Sequence, residues 1–141
     1  MTIQWADLEL LEVENDSDPD EEYVIIRVVK AGHTARYAVV DTTYDAKGKP
    51  SNHFRHIFLL PRMIVSEGDY IQIYTGVGDA TSFENKAETV TRVLYWGSKD
   101  PVWNDKEGDE ARLIRFGVVN RVTVPPKKTP PSRTIRIKPK Q

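Results

Sequence analysis

VLYWGSKDPVWNDKEGDEARLIRF, residues 93–116, decides the fold. Trp96 and Trp103 bracket a loop holding Gly97 and Pro101. After the turn formers Asn104, Asp105, Gly108 and Asp109 the chain returns to an apolar-containing run. The pattern is a strand, a wide loop and a strand. Each indole can bury on the order of 200 Å², worth several kcal/mol at about 25 cal/mol per Å². The segment is therefore expected to fix one edge of a β core, with Trp96, Gly97, Trp103, Asn104, Gly108 and Asp109 as its structural motif. It specifies a fold and names no reaction or ligand.

The flanks carry the same short-strand rhythm. Upstream, Tyr70, Gln72 and Tyr74 alternate with Ile71 and Ile73, while Val24, Ile26 and Val28 share one face of the run 23–30. Such alternation predicts half-buried strands. Residues 8–13 alternate with acids, 36–42 place Ala38 and Val40 on one face, and 53–60 end at Pro61, which lacks the amide a ladder needs. Polar loops are expected at 45–52 and 76–89, the second with a short helical turn around Glu84 to Glu88. Downstream, Gly117 is read as a hairpin turn into a last strand, 118–124. Eight or nine short strands with no helical period predict an all-β chain, an antiparallel β-sandwich or barrel.

The chain has 141 residues, near the commonest domain size. One domain, 1–124, is expected, followed by a tail at 125–141 whose five prolines and six cations cannot build a core and should be disordered. No apolar run approaches a membrane span, and no signal peptide precedes the acids Asp7 and Glu9, so a cytoplasmic location is the default expectation. Zero cysteines exclude disulfides and thiolate chemistry. The net charge of −1 hides polarity: residues 1–22 carry nine acids and no base, and the tail's Lys127, Lys128, Arg133, Arg136, Lys138 and Lys140 face no acid there. Such ends attract polyanions or one another.

The order Phe58-Leu59-Leu60-Pro61, Glu67-Gly68-Asp69, Tyr74-Thr75-Gly76, Tyr95-Trp96-Gly97, Val102-Trp103-Asn104 and Gly108-Asp109-Glu110 resembles the lamin-tail domain, particularly its bacterial and archaeal versions. The resemblance spans roughly residues 7–124. It implies an immunoglobulin-like β-sandwich in which Trp96, Trp103 and the glycines are structural, acting as a non-catalytic module that meets proteins or nucleic acid. Two departures stand out. Arg36 to Val40 replaces the Gly-Trp pair frequent after the second strand, and Asp105, Lys106 and Glu107 lengthen the turn before Gly108.

Chemistry-bearing residues are few. Asp16, Asp18 and Asp20 open like a calcium loop, but Glu21 stands where glycine is required and Arg27 where a bidentate glutamate is. A solvated acidic turn remains. His53 and His56 fall on opposite faces of a strand and leave only His33 as a third imidazole, so no metal and no cofactor is expected. Ser66, Ser82 and Ser98 sit in no nucleophile elbow, and Gly76 and Gly78 precede no helix that would cradle phosphate. No enzyme is expected. Tyr95, Trp96 and Trp103 beside Arg92 and Lys99 offer a base-stacking platform, with buried core as the alternative.

The expected function is protein interaction or tethering, through an edge strand or the wide loops at 76–89 and 97–108. The alternative is nucleic-acid or polyanion binding by the six tail cations. A third reading has the acidic head of one copy meeting the basic tail of another, in an assembly that salt would dissolve.

Overall fold

A computed structural model describes residues 2–103 and 109–127. Among these residues there are ten strands and no helix: β1 (Asp7–Glu14), β2 (Tyr23–Lys30), β3 (Gly32–His33), β4 (Tyr37–Tyr44), β5 (Pro50–Leu59), β6 (Ile64–Val65), β7 (Tyr70–Tyr74), β8 (Thr81–Glu84), β9 (Val90–Tyr95) and β10 (Asp109–Arg115). They build a five-stranded sheet in the order β1-β2-β7-β9-β8, a three-stranded sheet β10-β4-β5, and the pair β3-β6. The all-β expectation holds. The sheets are not purely antiparallel, because β7 and β9 run parallel. β8 pairs antiparallel with the far side of β9, so the chain leaving β7 reaches the sheet edge before it returns.

Period-2 patterning becomes a shared core. Val24, Ile26 and Val28 of β2, Ile71 and Ile73 of β7 and Leu94 of β9 meet Tyr37 and Val39 of β4, with Leu60, Val65 and Trp103, in one buried cluster. A fully buried valine or isoleucine contributes about 1.5–3 kcal/mol. Seven of the eight β4 residues are buried, so the face bearing Ala38 and Val40 is closed as well as the core-facing one.

The described part of the segment 93–116 contains the end of β9 and all of β10, the two strands its residues imply, but they do not line a single edge. β9 lies inside the five-stranded sheet and β10 is an edge of the other sheet, so the loop between them changes layers. Three further expectations are corrected. The loop 76–89 contains β8, and the helical turn is instead a hairpin in which the Asn85 amide donates to the Thr89 carbonyl at 2.9 Å. The Asn85 side chain accepts the Ala87 and Thr89 amides, a local geometry that competes with helix. The run 118–124 forms no strand: Val119 is 101% exposed, and β propensity without a pairing partner among the described residues does not make a ladder. Finally, β5 starts at Pro50, which an edge strand tolerates, so the loop 45–52 shrinks to a turn closed by the Asp45 amide on the Lys49 carbonyl at 2.8 Å.

β5 also carries a bulge. Val40 pairs with Ile57 and Thr42 with His53, leaving three β5 residues opposite Asp41. The Asp41 carboxylate fills the gap, accepting the His56 amide at 2.6 Å and facing the His56 ring Nδ1 at 2.7 Å.

Candidate binding face

The outward face of the five-stranded sheet collects the chain's tyrosines. Alternation that sends Ile71, Ile73 and Leu94 inward sends Tyr70, Gln72, Tyr74 and Tyr95 outward, and the register places Tyr23 beside Tyr74 and Tyr74 beside Tyr95. Tyr23 and Tyr74 meet edge to face with centroids 5.4 Å apart. Tyr74 and Tyr95 stack at 5.6 Å. All three are half-buried, so each ring keeps surface for a ligand. Gln72 donates to the Tyr74 hydroxyl at 3.3 Å. Gly78 leaves the room that the Tyr95 ring occupies, since a Cβ there would lie 2.5 Å from it.

Acids border this aromatic row because of one extra residue. β1 pairs Leu10 with Ile26 and Glu12 with Ile25, so Leu11 is a bulge. Without it Glu9 and Glu12, three apart, would point to opposite faces. With it Glu9, Glu12 and Glu14 stand beside Arg27, Ile25 and Tyr23 on the outer side, while Leu8, Leu10 and Val13 pack on the core. Arg27 pairs with Glu9 at 2.8 Å. Partial burial, then the charges of Glu14 and Glu12, and then Tyr74, hold the Tyr23 phenol above its usual pKa. The acids of β1 therefore act on Tyr23.

The acidic turn closes one end of the row. Asp16 and Asp18 accept the amides of Asp18 and Asp20 at 2.8 and 2.9 Å, and the Pro19 carbonyl accepts the Gly76 amide just beyond β7. Glu22 does not belong to this solvated run. It is fully buried, and its carboxylate accepts the Thr75 hydroxyl and the Val102 amide at 2.7 Å each, with the Trp103 and Asp16 amides at 3.4 Å.

The motif residues around the tryptophans stand apart from this face. Trp103 is 4% exposed and packs edge to face on Trp96 at 5.9 Å, and Trp96 lies against Phe58 at 5.5 Å. Trp103 is therefore core, Trp96 is half-buried, and Tyr95 alone of the expected platform lies on the outer face. Arg92 donates to the Ile64 carbonyl, and Lys99 is exposed. Gly97 holds a positive φ of 85°, and Asp109 opens β10 opposite Thr43. Asn104 and Gly108 lie outside the described residues, as do Lys128, Arg133, Arg136, Lys138 and Lys140. Lys127 is exposed.

The histidines do not converge. His33 meets Trp5 and His53 meets Phe54 edge to face, and His56 serves Asp41. Among the described residues no group of three His, Cys, Asp or Glu side chains is arranged for a metal ion, and no helix is long and apolar enough to cross a membrane. Sequence reading separated the tyrosines from the acidic head. Period-2 alternation puts Tyr70, Gln72 and Tyr74 on one face of their strand, whereas the acids of β1 share a side only through the Leu11 bulge, which no local pattern shows. No protein-family model matches this chain, no curated protein matches it, and no solved structure matches it.

Proposed function

We propose that this chain is a non-enzymatic binding module, an immunoglobulin-like sandwich of lamin-tail type, that takes an extended cationic polypeptide across the tyrosine face. The observation that carries this is the row Tyr23, Tyr74 and Tyr95 bordered by Glu12 and Glu14. Aromatic rings supply contact area at low entropic cost and attract cations and proline rings, and the acids select positive ligands. Edge pairing is the weaker route. β1 is lined with acids, β8 has four residues, and the ladder of β5 is interrupted by its bulge, the devices by which sheets discourage strand addition.

The test is amide shift mapping of the full chain with a synthetic octalysine peptide and with octaglutamate as control. Octalysine should shift the amides of Tyr23, Gln72, Tyr74 and Tyr95, and Glu12→Gln with Glu14→Gln should weaken it. Octalysine shifts confined to other amides, or none, would refute the reading.

A further inference from the structure

We propose that residues 125–141 of the same chain are the resident ligand of the tyrosine face, so that an external ligand must displace them. This rests on the binding reading above and names its first occupant. Charge complementarity is the first support. The segment carries Lys127, Lys128, Arg133, Arg136, Lys138 and Lys140 without an acid, while the face and its border carry Glu9, Glu12, Glu14, Asp16, Asp18 and Asp20, every one of them at or near the surface. The register sets Glu14 opposite Tyr23 and Glu12 opposite Ile25, and after burial their charges help hold the Tyr23 phenol above its usual pKa.

The second support is side-chain chemistry. The segment contains Pro125, Pro126, Pro130, Pro131 and Pro139, and proline-rich chains dock on aromatic-lined surfaces with little ordering cost. Tyr23, Tyr74 and Tyr95 are such a surface. The third support is reach. Fourteen residues follow Lys127, which at ~3.1 Å per residue extend about 43 Å, against a radius of gyration near 14 Å for a domain of this size. That length carries the segment well round its own domain, and tethering keeps it near the surface at an effective concentration in the millimolar range. A tail from another copy has no such advantage in dilute solution.

The absence of cysteine makes the test clean. Lys138→Cys in the full chain takes a single nitroxide, and paramagnetic broadening is read at each amide. Broadening is expected at Glu12, Tyr23, Tyr74 and Tyr95, unchanged on dilution and abolished by molar salt. Absence of broadening at this face overturns the proposal. So does broadening that appears only when spin-labelled and isotope-labelled copies are different molecules. A variant with Arg133, Arg136 and Lys138 all changed to Gln should bind octalysine at the tyrosine face severalfold more tightly than the parent chain, because the competitor is weakened. If octalysine maps to the face while the label broadens nothing there, the binding reading stands and the resident ligand falls. If octalysine shifts nothing at the face even in the neutralised variant, both fall.

Discussion

Glu22 shows how far a single side chain can depart from its sequence neighbours. It ends a run of acids, yet it is fully buried and serves the loop that seats Trp103. A buried carboxylate is tolerated only when hydrogen-bonded, and here one hydroxyl and three amides supply the bonds. Removing it leaves the Val102 and Trp103 amides without their acceptor inside the protein. Glu22→Ala is therefore expected to destabilise the fold by about 3 kcal/mol, and Glu22→Gln by less, because one carbonyl oxygen still accepts. Denaturant unfolding measures both. Equal stability of Glu22→Ala and the parent would show that the carboxylate does not hold the loop.

At the level of strands, the amino-terminal segment is bound through backbone packed on backbone. The His33 amide donates to the Gln4 carbonyl at 3.0 Å, and the Ala6 amide donates to the His33 carbonyl at 2.9 Å. Tyr37 adds its hydroxyl to the Ala6 carbonyl at 2.6 Å, and the Arg115 guanidinium lies 4.4 Å from the Trp5 ring centroid. The approach is close only because Gly32 has no side chain: a Cβ there would stand 2.5 Å from the Ala6 nitrogen and the Gln4 oxygen. Backbone cannot swing aside as a side chain can. Gly32→Ala is expected to cost about 2–3 kcal/mol and to lower the Tm by roughly 5–10 °C, with the loss of protection from hydrogen exchange concentrated at Ala6 and His33. A variant as stable as the parent would mean that β3 and the amino-terminal segment are not packed this way.

For the molecule as a whole, charge is sorted between a folded acidic face and a basic terminal segment. The polyanion alternative would have to act through that segment, because Glu9, Glu12 and Glu14 line the outer face and repel phosphates. Polarisation of labelled single- and double-stranded oligonucleotides with the full chain decides between the roles. The expected result is no binding at physiological salt, with weak binding at low salt that weakens further when Arg133, Arg136 and Lys138 are changed to Glu. Tight binding whose logarithm falls with log salt by about 0.9 per phosphate contacted would instead make the tail a nucleic-acid arm.

The sequence by itself determined what depends on neighbours a few residues apart. Alternation in β2 and β7 placed Val24, Ile26, Val28, Ile71 and Ile73 in the core, and the tryptophan pair around Gly97 foretold a strand, a loop and a strand. Only the tertiary structure decided what depends on partners distant in the chain. Val118 to Val124 have strand chemistry and pair with no strand among the described residues. Glu22 reads as one solvated acid among nine until Val102, 80 positions away, donates to it. The Leu11 bulge shows itself only against β2, and it is what brings the acids to the side where Tyr23, Tyr74 and Tyr95 assemble from three strands. Hydrophobic periodicity is a local property of the chain and can be read from it. Pairing register and layer assignment are set by the least costly arrangement of all the strands together, and so are fixed only when the whole chain packs.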